Sequence, residues 1–163
     1  MASLAFEKLG PNITATPDRR AVLKTPRHGV KKSSHSFALT GAIRDGSASA
    51  TFEIDFTPDT SPLTIGVFPA TLNIDSDSMA AKGSRCALKI SGKNGGSGQL
   101  LCRGEEKDAS TGWKWKQGDR LSVDLAYAGS GLKRVATVTF RRLGKSSFKF
   151  DKQLDAAPDM RFG

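Results

Sequence analysis

The chain has 163 residues, of which 25 are Lys or Arg and 16 are Asp or Glu, so its net charge is +9. A chain of this length forms one domain that buries about 68–70% of its unfolded surface, so it needs neither a disulfide nor a structural metal. No stretch approaches the ~20 apolar residues that cross a bilayer, and the first residues lack the basic start and apolar run of a secretory signal. We therefore expect a cytoplasmic or nuclear protein without a membrane partner.

Most of the chain consists of short segments in which apolar and polar residues alternate, separated by Gly, Pro, Asp and Ser. Alternation with a period of two is typical of strands with one buried face. No segment carries the long apolar stripe of a substantial helix. We expect residues 1–12 to form a lead-in and residues 13–163 to form one domain. Besides the hairpin described next, strands are predicted at 13–16, 21–24, 36–43, 48–56, 63–68, 86–91, 99–102 and 146–150.

The clearest hairpin lies between Trp115 and Lys145. Its first strand alternates through Leu121, Val123, Leu125 and Tyr127, and its second through Ala136, Val138 and Phe140. The loop 128–134 contains Gly129 and Gly131, which allow positive φ and therefore favour an antiparallel turn between the strands. The fold class predicted from this pattern is all-β.

Other segments lack alternation or are apolar throughout. The segments 25–36, 69–83 and 105–112 are polar or mixed and are interpreted mainly as loops. The segment 63–68 is nearly all apolar, which is typical of a strand covered on both faces.

The order of these patterns resembles the SPRY domain. In W-K-Q-G-D-R-L-S-V-D-L an apolar residue, Trp115, lies three positions before Gly-Asp and is followed by a strand. The segments A-S-A-T-F-E-I-D-F (48–56) and L-T-I-G-V (63–67) are similar to earlier strands of that family, in the same order. The resemblance covers roughly residues 13–162.

This resemblance implies a concanavalin-like antiparallel β-sandwich with little helix, in which Trp115 packs in the core. It also implies a protein-interaction module that recognises a protein or peptide through loops at one rim. In that family a further inner strand follows the segment corresponding to 155–163. An edge left open there would allow homo-oligomers, because unpaired sheet edges are templates for another strand.

The motifs that could hold a metal are incomplete. His28 and His35 lie seven residues apart in a basic loop that offers no further ligands. Asp75 begins a calcium-like loop, but Ala80 stands where glycine is required and Cys86 where a bidentate glutamate is required. We expect no metal and no cofactor.

Nucleophilic catalysis is not indicated either. Ser146 and Lys149 have the spacing of a nucleophile and its base, but residues three apart on a strand face opposite sides. Cys86 and Cys102 show no C-x-x-C spacing and are expected to be thiols in a reducing compartment. The sequence therefore predicts a protein that is not an enzyme.

The expected contacts with a protein or peptide partner lie in loops, which a rigid sandwich holds in place. The candidate rim loops are 44–49, 68–77, 105–112 and 128–134. Three of the predicted contacts lie within these loops, namely Arg44, Asp45 and Lys133. The fourth, Trp113, directly follows the loop 105–112. Trp113 is expected at the mouth of a loop.

Two other functions are left open by the sequence. Nucleic-acid binding, such as RNA binding, would use the basic N-terminal third, where the candidate residues are Arg19, Arg20, Arg27, Lys31 and Lys32. In that case Arg141, Arg142 and Trp113 would add to the surface, with the tryptophan stacking on a base. Carbohydrate binding is the third possibility, by analogy with concanavalin-like lectins.

Overall fold

A computed structural model describes residues 4–10, 13–24, 38–54, 63–72, 86–90, 97–102, 105–144 and 148–163. In these ranges there is one short 3₁₀ turn, η1 (Gly131–Lys133), no α-helix, and no helix that could cross a bilayer. The strands are β1 Phe6–Leu9, β2 Ile13–Ala15, β3 Val22–Lys24, β4 Ala38–Thr40, β5 Ser47–Glu53, β6 Leu63–Pro69, β7 Cys86–Ile90, β8 Ser97–Cys102, β9 Glu105–Lys114, β10 Arg120–Ala128, β11 Val135–Leu143, β12 Phe148–Asp155 and β13 Met160–Phe162. The predicted all-β class is confirmed.

Two larger sheets contain most of the strands, and all their neighbouring strands are antiparallel. One sheet has the order β12-β11-β10-β5 and the other has the order β13-β6-β7-β8-β9. The pairs β1–β4 and β2–β3 form two small sheets. The predicted hairpin is β10–β11, whose register is unbroken from the pair Arg120–Leu143 to the pair Ala128–Val135.

The two larger sheets face each other across one hydrophobic core. Side chains alternate along β10, so Leu121 and Leu125 lie on its inner face, where both are fully buried. They belong to the same cluster as Val67 and Leu88 of the five-stranded sheet. Trp115 is also fully buried in this cluster, as predicted. The fold is therefore an antiparallel β-sandwich.

Strand β6 is buried on both faces, as its apolar sequence predicts. Ile65 and Val67 belong to the central core. Phe68 instead packs in a second cluster with Leu39 of β4 and Leu101 of β8. Strand β4 thus helps to cover the outer face of the five-stranded sheet.

The segment 155–163, expected to lead up to a strand, itself contains β13. This strand pairs with β6, and Phe162 lies opposite Val67. On its other side, the backbone N–H groups of Ile43 and Met160 each donate to the carbonyl of the other residue, at 2.7 and 3.2 Å. The region 40–43 therefore covers this edge. Through β4 it also attaches β1, which lies inside the predicted lead-in.

The prediction of a loop at 105–112 is wrong, because these residues belong to the edge strand β9. Their pairing with β8 is irregular: β9 runs from Lys114 to Ser110 while β8 advances only from Ser97 to Gln99. Such irregularities insert extra residues and bend the strand. They also break the period of two, which is why the pattern did not reveal a strand.

Candidate interaction surface

Three connections meet at one end of the sandwich, and we call them the rim: residues 44–46, 129–134 and 156–159. At this end of the four-stranded sheet, β5 and β11 begin and β10 and β12 end. The five-stranded sheet contacts the rim at this end. The backbone N–H of Ala70, just after β6, donates to the carbonyl of Asp159 at 2.8 Å.

Tyr127, near the end of β10, ties these connections to the sheet. Its hydroxyl lies 3.1 Å from the carbonyl oxygen of Ile43 and 3.0 Å from that of Pro158, so one O–H is shared by two acceptors. Its backbone N–H donates to the carbonyl of Gly46 at 2.8 Å. Burial raises the pKa of Tyr127 and outweighs the opposite effect of Arg134. The hydroxyl is therefore a donor throughout the neutral pH range.

Arg134 connects this tyrosine to the third part of the rim. Its guanidinium carbon lies 3.9 Å from the centroid of the Tyr127 ring, and its Nη1 donates to Oδ1 of Asp159 at 2.8 Å. That hydrogen bond raises the pKa of Arg134, which stays charged. The Nε of Arg44 lies 4.0 Å from the other carboxylate oxygen of Asp159. Asp159 therefore links residues from all three connections.

The β10–β11 connection has a defined turn geometry. Gly129 and Gly131 have φ values of +74° and +56°, as predicted for a glycine-containing turn. The backbone N–H of Lys133 donates to Ser130 at 3.2 Å, and that of Arg134 donates to Gly131 at 3.1 Å. The backbone that carries Leu132 and Lys133 is thereby ordered.

Several side chains of the rim are exposed, and we call four of them the rim surface: Arg44, Asp45, Leu132 and Lys133. The side chain of Arg44 is 81% exposed and Leu132 is 96% exposed. Three of the four were predicted contacts, and the structure brings those three to one end. Leu132 was not predicted. Its only signal is an apolar residue placed in a glycine-rich turn, outside the alternation of both strands.

Ala156 in the third connection has φ +47°, which is unfavourable for a residue with a Cβ. Replacing this exposed alanine with glycine relieves that strain, and we expect a gain of about 0.5–1 kcal/mol in unfolding free energy after the entropic cost of glycine. Chemical denaturation measures the change. The control Ala128→Gly, at the exposed end of β10, should lose about 0.5–1 kcal/mol because an extended strand residue gains nothing from glycine. Equal losses in both variants would contradict the prediction.

The fourth predicted contact, Trp113, does not lie with the other three. It lies in β9, one residue before that strand ends at Lys114. In the antiparallel order of the five-stranded sheet, β9 ends at Lys114, opposite Ser97, which is the end of the sandwich away from the rim. The other predicted rim loop, 68–77, is described only as far as residue 72.

The candidate nucleic-acid residues are only partly described. Arg19 and Arg20 are exposed in the turn between β2 and β3, whereas Arg27, Lys31 and Lys32 lie outside the described residues. The guanidinium of Arg19 donates to the carbonyl of Glu7 at 3.2 Å, which attaches the turn to β1.

The arginines of β11 that would extend such a surface have internal partners. Arg141 pairs with Asp124, and Arg142 pairs with Asp119 at 2.8 Å. Arg142 also lies 5.3 Å from the ring centroid of Trp115. Both charges are thus balanced within the protein rather than presented as a basic patch.

The motifs considered for metal and nucleophilic chemistry lie mostly outside the described residues, namely His28, His35, Asp75, Ala80 and Ser146. In the part of the chain that is described, no group of three His, Cys, Asp or Glu side chains could hold a metal ion. The side chain of Cys86 is buried.

Comparison with protein-family models and with curated proteins found no match to this chain.

Proposed function

We propose that this chain is a non-catalytic interaction module that binds a protein or peptide through its rim surface. The observation that carries the proposal is that one end of the sandwich combines a hydrogen-bonded network of side chains with exposed side chains in the loops that this network connects. Tyr127, Arg134 and Asp159 hold the connections together, while the four side chains of the rim surface remain exposed.

Such a surface suits partner binding for a physical reason. Loops that are already ordered lose little conformational entropy when they bind, so more of the contact energy appears as affinity. Leu132 offers apolar area that a partner can bury, worth up to about 1.5–3 kcal/mol for a fully buried leucine. Arg44, Asp45 and Lys133 lie at the same end of the sandwich and carry charges of both signs, which favour a partner that carries complementary charges beside an apolar pocket.

The resemblance to SPRY domains supports the same proposal, since rim loops are the expected recognition site in that family. The proposal keeps three of the four contacts expected from the sequence and replaces Trp113 with Leu132, because only the latter lies at the rim.

The test is affinity capture from cell extract with the wild type and with the combined variant Arg44→Ala, Asp45→Ala, Leu132→Ala and Lys133→Ala. We expect partners of the wild type to be lost by this variant, with binding weakened at least about tenfold, because a single anchor residue among the four whose truncation costs about 2 kcal/mol is enough for that loss. The measurement is quantitative mass spectrometry of the captured proteins, followed by binding assays with each purified partner.

A matched control changes exposed basic residues at the opposite end, Lys116→Ala and Arg120→Ala. Partners should be retained by this control. Retention of the same partners by the rim variant would reject the rim as the binding surface.

Nucleic-acid binding remains the competing function, and salt dependence distinguishes it. Because neutralised phosphates release counterions, RNA held by basic residues dissociates steeply as salt rises. The proposed function predicts no specific retention of RNA at ~50 mM salt. Salt-sensitive retention that survives the rim substitutions would favour the nucleic-acid alternative.

A further inference from the structure

Three of the four edges of the two large sheets are protected against pairing with another chain. Strand β9 carries Glu105, Glu106, Lys107 and Asp108, and strand β12 carries Lys149, Asp151, Lys152 and Asp155. Charged side chains on an edge strand, and segments that cover an edge, are the usual means of preventing edge-to-edge association. Strand β13 has the second kind of protection, because residues 40–43 lie along it.

Strand β5 is the edge that lacks these features. Its sequence is S-A-S-A-T-F-E, with neither Pro nor Lys and with no charge before Glu53. It pairs with β10 over its whole length without a bulge, and β10 is the only described strand that pairs with it.

The open backbone groups of β5 follow from its bonds to β10. The backbone N–H of Ile54 donates to the carbonyl of Asp119, and the carbonyl of Ile54 accepts from the N–H of Gly118. At the other end of β5, the carbonyl of Gly46 accepts from the N–H of Tyr127. The backbone groups of the even-numbered residues therefore face β10. In an antiparallel strand, alternate residues direct their backbone groups to opposite sides. The N–H and carbonyl groups that point away from β10 are those of Ser47, Ser49, Thr51 and Glu53.

The core is also less completely covered at this edge. Ala48, Ala50 and Phe52 on the inner face of β5 pack against the central core but are only partly buried. Their neighbours on β10, such as Leu121 and Val123, are fully buried. A further strand beside β5 would remove more of this apolar surface from water.

We propose that the β5 edge pairs with the β5 edge of a second copy of this chain, antiparallel and with the two-fold axis at Ala50. In this register every open group of β5 finds a partner, because Ser47 lies opposite Glu53 and Ser49 lies opposite Thr51. On the inner face, the large Phe52 lies opposite the small Ala48.

The charge of Glu53 disfavours the register that is shifted towards the rim. With the axis at Ala50, each Glu53 faces the uncharged Ser47 of the second copy. A shift of two residues towards the rim would place Glu53 opposite Asp45, and like charges directly opposite each other destabilise a strand pair. A shift of one residue would place inner side chains opposite outer ones, which the pleat forbids.

The dimer would join the two four-stranded sheets into one continuous sheet of eight strands. Since the two copies of β5 run in opposite directions, the two rim surfaces would lie at opposite ends of the assembly. The dimer would then be bivalent for a rim partner. The pairing itself does not depend on the rim, so it can be tested without knowing any partner.

Sedimentation velocity over a wide concentration range tests the dimer directly. The wild type should show a monomer–dimer equilibrium, and Thr51→Pro should weaken dimerisation by more than about tenfold, because proline removes a donor that only the second copy uses. Edge strands accept proline where the N–H faces solvent, so the monomer should keep its fold, which circular dichroism checks. The control Thr51→Ser retains the N–H and should dimerise as the wild type does. A wild type that stays monomeric at several hundred micromolar overturns the proposal.

Two opposite substitutions at Ser47 test the register. Ser47→Lys places a positive charge opposite each Glu53 of the second copy and should tighten the dimer, whereas Ser47→Glu places like charges opposite each other and should weaken it. Each change should be about fivefold, since the contact occurs twice in a symmetric dimer. A dimer that responds equally to both substitutions, or that persists in Thr51→Pro with its fold intact, is formed by another surface and overturns the proposal.

Discussion

Replacing Gly66 with alanine is expected to lower the unfolding free energy by about 3 kcal/mol or more. Gly66 lies opposite Ala87 in the pairing of β6 with β7. A Cβ at this position would overlap the carbonyl oxygen of Cys86 and the Cα of Ala87. Both contacts are with the backbone, so a side-chain rotation cannot relieve them, and the two strands would have to separate.

The same substitution should disturb the edge that leads to the rim. Gly66 also exchanges backbone hydrogen bonds with Gly163, at 2.8 and 3.1 Å, and so helps to hold the end of β13 beside β6. Thermal and chemical denaturation measure the loss. The matched control is Thr64→Ala on the same strand, which introduces the same side chain without the overlap and should cost about 1 kcal/mol or less. Comparable stability of the two variants would show that β6 and β7 can separate at little cost.

The hairpin β10–β11 and strand β6 were predictable because their burial patterns are simple. A strand with one buried face must alternate, as Leu121 and Leu125 do, and a strand with two buried faces must be apolar throughout, as Ile65 to Phe68 are. These patterns come from the core itself, so they are present in the sequence. The all-β sandwich follows from them, whereas the SPRY resemblance remains a hypothesis about family and function.

Edge strands left no comparable signal. Strand β9 has a polar sequence and an irregular register, and β1 has only four residues. The network beneath the rim could not be predicted either, because it consists of contacts between residues far apart in the chain. Tyr127 bonds to carbonyl groups 84 and 31 residues away, and neither contact follows from local sequence. The sequence located three exposed residues of the rim but not the network beneath them.

Asp159→Ala is expected to loosen the rim and to weaken partner binding, although none of the four rim-surface residues is changed. The substitution removes the ion pair with Arg134 and leaves that guanidinium above Tyr127, where its Nη2 is already buried and has no hydrogen-bond partner among the described residues. Asp159 is 41% exposed, so water replaces part of the interaction, and we expect a loss of about 1–2 kcal/mol in unfolding free energy.

The distinguishing measurement is hydrogen exchange, because local opening is seen at the amides concerned. Amides of residues 44–46 and 129–134 should exchange faster in Asp159→Ala, and binding of rim partners should fall about five- to tenfold as loop order is lost. The matched control is Asp151→Ala, which removes a pair with Lys149 at 3.0 Å and a hydrogen bond from Thr139 at 2.5 Å, away from the rim connections. Exchange at the rim should be unchanged in this control. If both variants lose binding equally, general stability rather than the rim network controls recognition. If Asp159→Ala changes neither hydrogen exchange nor binding, the network does not order the rim.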